Sequence, residues 1–374
     1  MEKAKIDLYQ FFTLVVLHIV GTSLVVGLWT KAEQDAWLTI LLGMTICLPL
    51  IPLYIYFHHR YPTLPLTGYA RIILGKPLGT LLGYLYIIYF LYGAARNLRD
   101  LADLLILSTM ENLPLLITMV LMMLVLIYVL YLGIEVVARL GEIYFVVIML
   151  FGAFAVMLIF ASGIVDTDRL QPMLENGWTA VLKLALPYHI IPFAEIIVFT
   201  MILPYVNRPQ SVIKMGLWAV IFSGILHSLM AVLTIAVLGA DLAVRSTFPL
   251  LTMVNIINVA DVFQNMEIIS VFILINGVFF RIALYFYSAL IGLADLANMP
   301  KNRLVFPVGV AILLLGWIVA DSFTEHMEAG WVVIPYIHLP FTILIPLLLW
   351  VVSLIRNRKK PLTIGTSESG KGSG

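Results

Sequence analysis

Two charged residues stand alone inside long apolar runs of this 374-residue chain: Glu195, within PFAEIIVFT, and Arg281, within GVFFRIALYF. An ionisable side chain at mid-bilayer costs roughly 2.5–3.5 kcal/mol on insertion scales, so each needs a partner or a task. Glu195 has no basic residue within a helical turn. It therefore pairs across the bundle or carries a proton, and Arg281 is the obvious cation to meet it. Such a bridge either fixes packing or lines a solute cavity. A second cluster, Arg96, Arg99, Asp100 and Asp103, has four-residue spacings that let Arg96 face Asp100 and Arg99 face Asp103 on one helix. It reads as a partly hydrated ladder near the outer end of its span. Tyr89, Tyr92 and Arg96 share a face, taken to look inward, with Asn97 close by. His18 and His189 are packing residues or proton carriers. The chemistry on offer is ion pairing and solute binding.

Catalytic chemistry finds little support. No G-x-S-x-G, Walker A, H-E-x-x-H or dinucleotide fingerprint occurs. Cys47 is the only cysteine, and the adjacent His58 and His59 do not share a helix face, so neither a metal site nor a cofactor is expected. A net charge of +1 leaves no basic footprint for nucleic acid. Only 11% of residues are charged and 62% are hydrophobic, against about 25% charged in soluble domains. The solvent for such a surface is lipid.

The elements that must position these residues are membrane helices of about 20 apolar residues each. Ten are expected, at 8–29, 37–57, 78–107, 114–132, 143–161, 178–205, 212–238, 263–294, 304–320 and 331–355. They form one all-α membrane domain over 1–360, with a Ser/Gly-rich tail, 361–374, expected to be disordered. The apolar stretch within 245–260 is too short to cross and reads as a surface helix. Fifteen Lys and Arg lie on the side of the termini, against Lys31, Arg169 and Arg245 opposite, which puts both termini in the cytoplasm.

Spans one and six carry interruptions. Gly21-Thr22-Ser23 sits mid-membrane in the first, and Pro187 and Pro192 bracket Tyr188–His189–Ile190–Ile191 in the sixth. Ten spans divide as five plus five, in halves of about 1–163 and 170–356, and the interruptions hold equivalent places. Paired breaks of this kind point to an inverted repeat with a midplane site. Freed amides near Thr22 and Ser23 would hold an anionic group, and carbonyls around His189 an ammonium or hydroxyl.

Several segments together resemble one family: QDAW (34–37), LGKPLG (74–79), GIEVVARLGEI (133–143), LQPMLENGW (170–178), PFAEIIVFTMILP (192–204) and FPLLTMVNII (248–257). In order and over nearly the whole chain, they resemble the B subunit of GerA-type spore germinant receptors, within the amino acid–polyamine–organocation superfamily. The resemblance implies a LeuT-like 5+5 inverted repeat with broken helices one and six. It also implies residence in the spore inner membrane, assembly with an A subunit and a lipoprotein C subunit, and a small-molecule germinant such as an amino acid, sugar or nucleoside. Carried over by position, the ligand cavity involves Gly21, Thr22, Ser23, Tyr89, Asn97, Phe193, Glu195 and Tyr285. Span five lacks the lysine that some proton-coupled relatives use in place of sodium, and Arg281 could supply that fixed positive charge. Secondary transport and a ligand-gated conduit remain the alternatives on this fold.

Overall fold

The computed structural model describes residues 5–110, 112–257 and 267–357. The tail expected at 361–374, the first residues of the eighth span and the end of the 245–260 stretch lie outside them. The helices in chain order are α1 (Leu8–Val26), α2 (Ala36–Cys47), α3 (Leu50–Arg60), α4 (Leu66–Leu74), α5 (Lys76–Ser108), α6 (Leu115–Leu132), α7 (Ile134–Ala161) and α8 (Gly177–Leu184). They continue with α9 (Ile191–Ala194), α10 (Pro209–Leu238), α11 (Ala240–Arg245), α12 (Pro249–Asn255), α13 (Glu267–Ala297), α14 (Lys301–Ile318), α15 (Phe323–Val333) and α16 (Ile345–Asn357).

Among the described residues nine helical stretches are long and apolar enough to cross a membrane, and Leu8–Gly21 is a shorter apolar helix. Together they occupy the ten expected regions. The second span is α2 and α3 in series, and the last is α15 and α16 joined by two π-helical turns, Ile334–His338 and Pro340–Leu344. The long helices α5 and α13 pack along each other, and α13 also packs on α1. Every residue of α13 from 281 to 290 is buried, as expected of a helix apolar all round and set in a core. By contrast α6, α7 and α14 present large apolar side chains outward, among them Leu124, Leu150 and Phe306, where lipid is their solvent.

Span six breaks as its prolines require. The chain passes from α8 into a π-helical turn over Ala185–His189, one turn of α9, and then tighter 3-10 turns over Glu195–Met201 and Leu203–Tyr205. Pro187, Pro192 and Pro204 supply no amide hydrogen, and the β-branched run Ile196, Ile197, Val198 favours helix weakly. Side chains of neighbouring spans serve the backbone here. Tyr54 donates to the Ala194 carbonyl at 3.2 Å, and Ser288 donates to the Val198 carbonyl at 3.0 Å. Hydrocarbon tolerates irregular backbone only with such replacement partners.

The first span differs in detail from the sequence reading. Its backbone stays α-helical through Gly21, Thr22 and Ser23, and the interruption falls at Gly27, whose φ of 59° ends α1. A 3-10 stretch, Leu28–Asp35, follows. Glycine takes the left-handed conformation without a Cβ penalty, and a Cβ at Gly27 would also meet Pro249 Cγ at 2.8 Å. Gly21 has another use. A Cβ there would lie 2.5 Å from the Gly277 carbonyl oxygen, so the pair lets α1 and α13 cross backbone to backbone. The short helix expected between spans seven and eight exists as α12, but Leu250, Leu251, Met253 and Val254 are buried. It is packed into the bundle against α10 and α13 instead of lying on its surface.

Candidate functional site

Five elements meet around Glu195, counting the one that carries it. Arg281 of α13 pairs with Oε2 through Nη2, and Nδ1 of His338 lies 2.8 Å from Oε1. Arg281 Nη1 also donates to the His18 carbonyl of α1 at 3.0 Å. The Tyr89 hydroxyl of α5 lies 3.2 Å from His338 Nδ1. Glu195 is 2% exposed and Arg281 7%, so the pair is dry. A dry pair is sustained by close geometry and further hydrogen bonds, since removal of two ions from water is expensive. The 3-10 turn over Glu195–Met201 and the π-helical turn over Ile334–His338 are what place the two acid-side partners. Arg281 reaches them from a regular helix.

Aromatic rings wall the centre. Tyr89 stacks on Phe341 with ring centroids 4.8 Å apart and stands edge-on to Tyr285 at 6.3 Å. Tyr285 packs on the His18 ring at 5.4 Å, and His18 in turn meets Phe199 edge-on at 5.8 Å. Gly93 makes room for Tyr285, because a Cβ there would approach the ring to 2.6 Å. One carboxylate, one guanidinium, an imidazole and a phenol thus meet inside an aromatic wall. Among the described residues no group of three or more His, Cys, Asp or Glu side chains is set to hold a metal.

Of the residues singled out from the sequence, His18, Tyr89, Glu195, Arg281 and Tyr285 come together here. The others are placed apart. Asn97 lies eight residues along α5 from Tyr89, about 12 Å at helical rise, and its Nδ2 donates to its own helix at the Gly93 carbonyl, 2.7 Å away. Phe193 turns toward α10, with its ring 6.3 Å from that of His227. His189 is buried in the π-helical turn, whose backbone presses on Gly43 of α2 so closely that a Cβ there would meet its carbonyl at 2.6 Å. Beside Gly21 there is an apolar void of only about 10 Å³. Thr22 and Ser23 follow on the same helical backbone.

The ladder on α5 is half as expected. Arg99 does pair with Asp103 at 2.8 Å. Arg96 and Asp100 instead both turn to His326 of α15. Arg96 Nη2 donates to the His326 carbonyl at 2.8 Å, and Asp100 Oδ1 lies 2.7 Å from His326 Nε2. Arg99 Nη1 also donates to the Ala320 carbonyl at 2.7 Å. Arg99, Asp100 and Asp103 are buried, so the ladder is drier than a hydrated one. The four-residue spacing allowed the intrahelical pairing, but a partner on another span offers a dry cation a carbonyl and a dry acid an imidazole. Sequence reasoning missed His326 and His338. His338 is a histidine in an otherwise apolar span, a signal that could have marked it, whereas His326 lies among Asp321, Glu325 and Glu328 before the expected last span and carried none.

Comparison with known proteins supplies a family. A family model described as "Spore germination protein" matches residues 5–324. Spore germination protein KB of Bacillus subtilis (strain 168) is 37% identical over 368 residues, covering 98% of this chain and 99% of its own length. Spore germination protein YndE of the same organism is 23% identical over 364 residues, 95% of this chain and 98% of its own. Among solved structures, MhsT in complex with L-phenylalanine gives a TM-score of 0.67 at 11% identity, covering 94% of this chain and 89% of that one. A substrate-bound, outward-open Na⁺-coupled sialic acid symporter gives 0.61 at 13% identity, covering 85% and 76%. At such identities the likeness shows the fold, which is that of the LeuT-like transporters.

Proposed function

The chain belongs to the spore germination protein family, in the branch of GerA-type B subunits, and from that premise we propose that it senses a germinant at the Glu195 centre. It is a multi-pass membrane protein. In this reading it sits in the spore inner membrane with both termini cytoplasmic, in complex with an A-type subunit and a lipoprotein C subunit. The ligand is a small nutrient, foremost an amino acid.

One observation carries the reading. Glu195, at the break of span six, is tied through Arg281 to the His18 carbonyl of span one and through His338 to Tyr89 of span three. A solute carboxylate would compete with Glu195 for Arg281, and a solute ammonium would compete with Arg281 for Glu195. Either exchange loosens contacts between spans one, six, eight and ten together. The ligand would thus favour one arrangement of the broken helices over another, and the partner subunits would read that shift in population. The Arg281 guanidinium already supplies a fixed positive charge between spans one and eight, so binding needs no added Na⁺.

Spores lacking their own receptors and carrying this subunit with its A and C partners provide the test, challenged with amino acids, sugars, nucleosides and KCl. A specific response names the ligand class. If the assembled subunits answer none of them, the receptor reading fails. Solute transport is the second reading, since a Na⁺-coupled symporter shares the fold and architecture alone does not separate sensing from transport. Uptake of labelled solute into proteoliposomes, stimulated by Na⁺ at constant ionic strength, would establish transport and contradict a Na⁺-free site.

A further inference from the structure

Away from the Glu195 centre, a groove of about 380 Å³ is cut into the outside of the bundle where spans two, six and ten meet. Its walls are Ile46 and Leu50, then Leu186, Pro187 and Ile190, then Leu339 and Ile343, all of them hydrocarbon. The volume lies within the roughly 300–1,000 Å³ of ligand pockets. No side chain in the lining donates or accepts a hydrogen bond. Leu186 at its rim is 49% exposed and the neighbouring Leu344 is 60% exposed. Both lie in stretches apolar enough to cross a membrane, so the groove opens onto acyl chains and not onto water.

Its position in the fold is what gives it meaning. Two walls are built on the π-helical turns, Ala185–His189 and Pro340–Leu344. Leu339 directly follows His338, the imidazole on Glu195. The Ile190 carbonyl accepts the amide of Ala194 at 2.9 Å, one residue before Glu195. The Tyr54 hydroxyl lies within hydrogen-bond reach of the carbonyls of both Ala194 and Thr342, its single proton shared between the two irregular segments. Helices in lipid associate chiefly by van der Waals packing, and an unfilled cleft forfeits those contacts along its whole lining. Here the forfeited contacts belong to the segments that hold the ion pair.

We propose that this groove is a binding site for one hydrocarbon chain, the acyl tail of a membrane phospholipid, which props the π-helical turns Ala185–His189 and Pro340–Leu344, next to the segments that carry Glu195 and His338. The argument uses only the groove, its lining and its place in the bundle. It stands apart from the germinant reading, so either can fail alone.

The purified protein, reconstituted in phosphatidylglycerol–phosphatidylcholine vesicles with a tracer phosphatidylcholine carrying a diazirine on its acyl chain, can be irradiated and its adducts mapped by mass spectrometry. Adducts should concentrate on residues 186–190 and 339–343, several-fold above the lipid-facing sides of α6 and α7. Ile343→Trp and Leu186→Trp fill the groove from opposite walls. Each should remove the groove adducts, leave those on α6 and α7 as proof of insertion, and slow amide exchange across 185–195 by about threefold, as exchange reports local opening. Even labelling of groove, α6 and α7 in the wild-type protein would overturn the proposal. So would groove adducts that persist in both filled variants.

Discussion

Among the described residues two charged clusters are buried, and they are built on opposite principles. The Glu195 centre joins five elements, its own included, and two of those elements are irregular where they contribute. The ladder on α5 rests on one continuous helix and meets the turn between α14 and α15 at Ala320 and the start of α15 at His326. In the ladder each arginine donates to a backbone carbonyl, Arg96 to His326 within α15 and Arg99 to Ala320 in the turn before it. At the Glu195 centre the charges themselves hold broken helices in register. The contrast separates a clamp from a coupling point, although both are dry and both pair arginine with acid.

Removal of Arg281 tests the coupling point most severely. Arg281→Ala takes the guanidinium from a buried carboxylate and leaves it the His338 imidazole alone, which should cost up to roughly 3–5 kcal/mol, read as a fall in thermal unfolding temperature in detergent and as loss of any germinant response. The double variant Glu195→Leu with Arg281→Met sharpens the point, since apolar replacement of a whole buried pair is often neutral or better. It should regain most of the stability and none of the response. A double variant that responds normally would reduce the centre to packing. Next in size is the clamp: Arg99→Ala breaks charged hydrogen bonds to Asp103 and Ala320, at about 1.5–3 kcal/mol each. Subunit abundance should drop while the germinant concentration for half response stays the same in the subunits that assemble. A shifted concentration would erase the distinction between the two clusters. Asp100→Asn should do less, about 1 kcal/mol, because the amide can still meet His326 Nε2, and thermal unfolding reads it. The smallest effect belongs to Arg139→Ala, whose partner Glu135 lies four residues away with side chains 69% and 41% exposed. Its stability should move by less than about 0.5 kcal/mol in the same assay.

Much of this contrast is legible in the sequence, for physical reasons. Hydropathy fixes the spans because lipid demands it. Pro187 and Pro192 announce the break in span six because a missing amide hydrogen is a local property. Glu195 and Arg281 find each other in the reading because an isolated intramembrane charge has few permitted partners. What stayed hidden depends on distant packing. The first break lies at Gly27 and not at Gly21–Ser23, since the helix continues wherever its neighbours let it, and Gly21 serves the crossing with Gly277. The pairing of Arg96 with Asp100 was suggested by spacing, yet both side chains prefer His326, more than 220 residues on. His338 could not be assigned to Glu195 from sequence, because a π-helical turn changes which face of the last span looks inward. The cavity residues carried over by resemblance divide in the same way. Tyr89, Glu195 and Tyr285 meet, whereas Asn97 and Phe193 have partners elsewhere.

The central claim is that germinant and Glu195 share Arg281. Its most direct test is equilibrium binding of the germinant identified by the spore panel to the purified, assembled receptor, wild type against Glu195→Gln. The variant keeps side-chain size and removes the charge. Binding in the wild type that is lost or altered more than about tenfold, some 1.4 kcal/mol, with assembly intact, is the result the account predicts. Unchanged affinity in an assembled Glu195→Gln receptor would contradict it and place the germinant elsewhere in the bundle.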